Sequence, residues 1–155
     1  SVPVIAKEVG SGISEATGRR LAGAGIKILD TAGVGGTSWA RIEAQRAHDL
    51  ETGELFAGWG IATPESIRQL RRIDGVTIIG SGGLRSGVDV AKALALGADL
   101  AGLAQPFLEA AIDSAERVGQ HIDRIVRELK IAMFCLSSRT VSDLKSVPIR
   151  METER

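Results

Sequence analysis

Thr77-Ile78-Ile79-Gly80-Ser81-Gly82-Gly83 and Leu100-Ala101-Gly102-Leu103-Ala104-Gln105 decide how this chain folds. Each is a short apolar run stopped by glycine, the signature of a strand feeding a tight turn. A single helix-length segment separates them. Two such units in succession read as the last two strands of a (β/α)8 barrel, whose loops there commonly hold a phosphate at the C-terminal face. A phosphorylated ligand or cofactor is the first expectation.

Working outward, the same alternation recurs. The run Val2 to Val9 passes through Gly10-Ser11-Gly12 to Ser14, an N-cap for a helix that carries Ala16, Leu21 and Ala22 and stops near Gly25. Ile26 to Asp30 reads as a second strand, followed by the glycine-rich run Gly33 to Thr37 and a helix over Ser38 to Leu50. Glu51 to Ile61 is polar and broken by glycines, and is expected to be a flexible loop. Thr63 as N-cap with Pro64 behind it opens the next helix. After the strand Val76 to Gly80, Ser86 and Asp89 have capping-box spacing before a helix that Gly97 ends. Pro106 starts a long helical region with a weak point at Gly119, in which Ile122, Ile125, Val126, Leu129 and Met133 form an apolar stripe. Val147 to Arg155 reads as an edge segment or a frayed tail.

Four βα units specify a parallel sheet with right-handed crossovers, whereas eight would close a barrel. Four leave two open edges and one uncovered face, which invites pairing with a missing half or another chain. The expected class is therefore α/β, half of a TIM barrel, with residues 1–155 as one unit. Ser1 in place of Met, with a strand following at once, suits a piece cut from a longer chain.

Composition narrows the function classes. The 155 residues are 44% hydrophobic and 25% charged, as in an ordinary globular domain. Net charge is zero and the basic residues are scattered, which argues against nucleic acid and against an anionic membrane surface. No apolar run approaches the roughly 20 residues of a membrane span, and no signal-peptide pattern opens the chain. The single cysteine, Cys135, leaves no intramolecular disulfide and no cysteine-based metal site, so a reducing, cytoplasmic setting is expected. His48 and His121 lack partners at metal-ligand spacing and read as surface residues, and no metal ligand is assigned.

Several motifs at the strand ends resemble one family when taken in order. They are Lys7-Glu8-Val9-Gly10, the run Asp30 to Trp39, Trp59-Gly60-Ile61, Gly80 to Gly87, and Ala91 to Asp99. Each is weak alone; their sequence is similar to the C-terminal half of type 2 isopentenyl diphosphate isomerase. The resemblance covers essentially the whole chain. It implies a flavin-dependent TIM barrel that interconverts isopentenyl and dimethylallyl diphosphate with reduced FMN, Mg²⁺ and NADPH as flavin reductant. It also implies the N-terminal half of the same barrel as partner, and a homo-oligomer.

The residues carry chemistry of their own beside that resemblance. Lys7 ends an apolar strand, where a buried ammonium needs an anionic or carbonyl partner. The resemblance puts it on the flavin ring; pairing with Glu8 or solvent is the other reading. Gly35-Gly36-Thr37 makes a tight turn, with Thr37 as a helix cap or, by resemblance, a flavin contact. Ala32 stands where the family has a serine, so the resemblance makes Ala32 and Thr31 cofactor-side positions, with Thr31 as a substitute hydroxyl set against the opposite facing of adjacent strand residues. Gly83-Leu84-Arg85 and Ala104-Gln105 correspond to the FMN-phosphate segments, where N–H groups at a turn and a helix start make an anion site. Trp39 and Glu43 share one helical face. The resemblance assigns them to catalysis, Trp39 bordering substrate and Glu43 near the diphosphate; alternatively Trp39 packs on the barrel and Glu43 pairs with Arg46.

Two other readings stay open. An FMN-dependent 2-hydroxy-acid oxidase shares the barrel and the glycine turns, but needs a histidine base and an arginine clamp where this chain has Gly33-Val34-Gly35-Gly36-Thr37-Ser38-Trp39. A non-enzymatic half-barrel phosphate-binding module would close its own sheet edges by dimerising.

Overall fold

The computed structural model describes residues 2–150. Four parallel strands lie in sequence order in one sheet: β1 (Ile5–Lys7), β2 (Ile28–Asp30), β3 (Thr77–Ser81) and β4 (Leu100–Gly102). Helix α1 (Glu15–Gly23) follows β1, while α2 (Trp39–Ala47), α3 (Leu50–Leu55) and α4 (Thr63–Leu70) follow β2. Helix α5 (Gly87–Ala95) joins β3 to β4, and α6 (Gln105–Asp113), α7 (Ala115–Cys135) and α8 (Val141–Leu144) complete the described chain. No helix among the described residues is long and apolar enough to cross a membrane.

Alternation along the strands divides the sheet into two faces. Leu29 and Ile78 turn toward the helices and join Ile13, Ile67, Leu70, Ile73 and Val76 in the main core. Leu29, Ile67, Leu70 and Ile78 are completely buried, each contributing about 1.5–3 kcal/mol by leaving water. The other face carries Ile5 and Leu100, both more than half exposed. A second core joins Val90 and Leu94 of α5, Ile125 of α7 and Leu144 of α8. Asp99 ties this layer to the sheet, accepting from Ile78 N–H (2.9 Å), Arg71 (3.2 Å) and Lys145 Nζ (2.6 Å).

Local signals account for most element ends. Ser14 accepts from Thr17 N–H at the start of α1, and Ser86 with Asp89 closes a capping box on α5. Four expectations change. The helix expected through Leu50 stops at Ala47 because His48 turns left-handed (φ 56°), and Asp49 starts α3 by accepting from Thr52 N–H. Residues 51–61 are therefore not all loop: Arg41 pairs with Glu54 (2.6 Å), and Gly53 sits so close to α2 that a Cβ would collide with Ala44. Thr63 is not the N-cap of α4; Ala62 occupies that position without a side-chain bond. The long C-terminal helix breaks at Ser114, whose extended backbone (φ −165°) ends α6 and whose hydroxyl caps α7, while Gly119 continues inside the helix.

In the apolar stripe only part is covered. Ile125 is buried and Leu129 and Met133 pack beside it, whereas Ile122 and Val126 are exposed. Val147 packs against the second core; residues 151–155 of the expected tail lie outside the described residues.

Candidate functional site

The final residue of every strand, Lys7, Asp30, Ser81 and Gly102, lines one cleft of about 500 Å³ at the C-terminal end of the sheet. This is the end where parallel α/β barrels carry their ligands, because the loops there can vary without disturbing the core. Glycine turns form much of its wall: Gly10, Gly33, Gly36, Gly82 and Gly83.

Asp30 is the electrostatic centre. It is a buried carboxylate that accepts from the Ser81 hydroxyl and from Ala32 N–H (3.2 Å), with Lys7 Nζ 3.7 Å away. The Lys7 side chain is 56% exposed and its ammonium also reaches the Glu8 carbonyl (3.3 Å). Glu8 is not its carboxylate partner, since that group accepts from Val9 and Ser11 N–H instead.

Two turns present unspent backbone donors. Gly82 and Gly83 take φ of +106° and +79°, and among the described residues the N–H groups of Gly83, Leu84 and Ala104 have no protein acceptor. Helix α6 begins at the cleft with no side-chain cap, so its first N–H groups and the positive end of its dipole face the same space. The Arg85 N–H is already taken by Asp89 (3.0 Å). Its guanidinium bridges the turns, donating to the Gly83 carbonyl (3.0 Å) and the Gly35 carbonyl (3.4 Å). Burial works against ionisation of Asp89, but bonds from Arg85 N–H and from Ser86, with the Lys92 charge, outweigh it and hold its pKa below the ordinary value.

Of the sequence-derived residues, Lys7, Ala32, Thr37, Gly83, Leu84, Arg85, Ala104 and Gln105 come together around this cleft. Thr37 has no hydrogen-bond partner among the described residues, because Ser38 caps α2. Thr31 does not line the cleft: fully buried, its hydroxyl donates to the Ser81 carbonyl (2.9 Å) and accepts from Ser81 N–H (2.9 Å). It cannot replace the hydroxyl missing at Ala32. Trp39 borders an adjoining crevice of about 220 Å³ that shares Gly10, Gly36 and Thr37 with the main cleft. Glu43 lies on the outer surface and pairs with Arg46 (3.1 Å). Asp30, Ser81 and Gly102 join the cleft without a site role from the sequence; a carboxylate closing the apolar strand Ile28-Leu29-Asp30 is the signal for the first.

His121 is less exposed than a surface reading implies. Its ring stacks edge-on against Phe107 (4.7 Å between centroids), and its buried Nε2 has no hydrogen-bond partner among the described residues. Among the described residues no three His, Cys, Asp or Glu side chains gather into a metal-holding group.

A family model described as FMN-dependent dehydrogenase matches residues 61–151. The chain belongs to the FMN-dependent dehydrogenase family. Within it, the chain is 47% identical to an isopentenyl-diphosphate delta-isomerase of Rickettsia bellii, an alignment covering 97% of this chain and 45% of that protein. It is 52% identical to one from Synechococcus sp., over 89% of this chain and 41% of the relative. It thus spans less than half the length of these curated relatives.

Solved structures agree on the fold of this FMN-dependent dehydrogenase segment. A mandelate oxidase with (S)-2-phenylpropionate superposes with a TM-score of 0.72 at 22% identity, over 97% of this chain and 40% of the oxidase. A lactate oxidase from Pediococcus acidilactici gives 0.71 at 25% identity, over 97% and 38%. Both are TIM-barrel oxidases, and the four-stranded sheet is half of such a barrel.

The donor set fits FMN. Uncapped N–H groups at two adjacent turns suit a terminal phosphate, and Lys7 and Thr37 add polar side chains to the wall of the same cleft.

Proposed function

We propose that residues 1–155 are the C-terminal half of the flavin-binding barrel of a type 2 isopentenyl diphosphate isomerase. The observation that carries this reading is the identity of 45–52% with proteins of that name across most of the chain. The cleft supports it from the chemical side. Its ionisable side chains are Lys7, Asp30 and Arg85 alone, with no histidine to abstract a proton from a 2-hydroxy acid. The oxidase reading, favoured by the shared fold, therefore lacks its base in this half.

Interconverting isopentenyl and dimethylallyl diphosphate adds a proton at the terminal methylene and removes one two carbons away, with no net oxidation. Reduced FMN supplies the acid–base group for that shift when bound. The chain's own residues do the rest of the work assigned to this half. The N–H groups of Gly83, Leu84, Ala104 and Gln105 hold the cofactor phosphate, and Lys7 places positive charge at the ring edge, favouring the anionic reduced form. Trp39 walls the substrate space, and Glu43 serves proton or metal-bound-water traffic at the diphosphate end. Mg²⁺ would be held by carboxylates of the N-terminal half. NADPH as flavin reductant, a homo-oligomer and a cytoplasmic setting complete the reading.

The test is incubation of the full-length protein with reduced FMN, Mg²⁺ and isopentenyl diphosphate, following dimethylallyl diphosphate. Isomer formation without flavin turnover is expected. Oxidation of lactate or mandelate with no isomer formed would overturn the assignment.

A further inference from the structure

Thr63 is the first residue of α4, one position past the N-cap Ala62, so its hydroxyl is not engaged in capping the helix. This buried side chain donates to the carbonyls of Gly82 (2.7 Å) and Ser81 (3.0 Å), nineteen and eighteen residues along the chain. Ser81 O has further donors, Gly33 N–H (3.0 Å) and Thr31 Oγ1 (2.9 Å). Gly82 O has none besides Thr63 among the described residues.

The peptide unit between Gly82 and Gly83 is trans, so its carbonyl and its N–H point in opposite directions. Holding the carbonyl on Thr63 turns the Gly83 N–H away from α4 and toward the cleft side, where Gly36 also lines the wall and a Cβ added to it would come within 3.0 Å of that nitrogen. The turn packs so closely on Gly33 and Gly35 that a Cβ on Gly82 or Gly83 would collide with their carbonyl oxygens, and since glycine at positive φ tolerates either peptide orientation, the bond from Thr63 selects one. We propose that Thr63 is a positioning residue for the phosphate end of the cleft, fixing the Gly82–Gly83 peptide so that its N–H meets the phosphate. The inference rests on the FMN reading above and adds a residue that touches neither cofactor nor substrate.

The test compares FMN with riboflavin, which lacks the phosphate, in apoprotein of the full-length enzyme, by flavin fluorescence quenching. Thr63→Val keeps the shape and removes the donor. It should cut the preference for FMN over riboflavin about tenfold, the scale of one charge-assisted hydrogen bond, with riboflavin affinity nearly unchanged. Thr63→Ser keeps the donor and should retain most of the preference. Equal weakening of both flavins in Thr63→Val would mean a merely structural role and overturn the proposal. If Thr63→Val does not fold, Thr63→Ala takes its place: selective loss of FMN over riboflavin upholds the proposal, and an unchanged preference or equal weakening of both overturns it. A wild-type protein indifferent to the phosphate would sink the FMN reading itself, a failure distinct from these.

Discussion

Lys7 and Asp30 are register partners on adjacent parallel strands, and their side chains meet 3.7 Å apart at the floor of the cleft. The anion is the fixed member. Asp30 is buried and held by Ser81 and Ala32, whereas the lysine is more than half exposed and free to reorient.

That asymmetry predicts opposite effects on the bound flavin. Lys7→Ala should weaken FMN retention about tenfold, ~1.4 kcal/mol, and lower the flavin reduction potential. Asp30→Asn removes a negative charge at nearly the same place and should raise the potential. Spectroscopic redox titration of both variants checks this. Potentials that fall in both would mean that Asp30 acts only by holding Lys7, and an unchanged potential in Lys7→Ala would make it a strand-end charge only.

Glu43 offers a sharper separation of chemistry from surface pairing. If it moves protons, Glu43→Gln should reduce kcat with little change in KM, measured with FMN fully bound and reduced. Its pairing with Arg46 is exposed on both sides, and such pairs contribute roughly 0–1 kcal/mol. Near-normal kcat would remove Glu43 from the mechanism.

Asp99 predicts a pH dependence of stability. Burial opposes its ionisation, but bonds from Lys145 and Ile78 N–H and the charges of Arg71 and Lys145 prevail, so its pKa lies below the ordinary carboxylate value. A lowered folded-state pKa means the unfolded chain takes up the proton first as pH falls. Its stabilisation is therefore full above about pH 4–5 and lost as pH drops through the folded value. Asp99→Asn should cost about 1–3 kcal/mol at pH 7, with the gap narrowing steadily as pH falls below the ordinary carboxylate range. Urea unfolding at pH 7 and at a series of lower pH values tests it; a gap independent of pH would mean that packing, not charge, is lost.

How far the sequence reaches depends on the range of the interaction. Ser14, Ser86 and Asp89 bond within three residues, so their caps were legible, as were the glycine turns that wall the cleft. Thr63 has the same local signature but answers to a carbonyl nineteen residues away, and the tertiary bond displaced the cap. Helix α3 was hidden because its stabilising partners, Arg41 and Ala44, lie on the preceding helix. The pairing of Lys7 with Asp30 depends on strand register across a whole βα unit, which alternation alone does not supply. The break falls at Ser114, whose hydroxyl caps α7, while Gly119 is tolerated inside the helix at a cost of only about 1 kcal/mol.

The chain contains two tryptophans and no tyrosine. Trp39 and Trp59 both border the crevice that adjoins the cleft, with Phe56 edge-on to Trp59 at 5.5 Å between ring centroids. All the indole fluorescence of these 155 residues thus originates at one rim. Indole emission from this half of the barrel is a label-free optical gauge of whatever enters there, undiluted by tyrosine or by any other tryptophan of the segment.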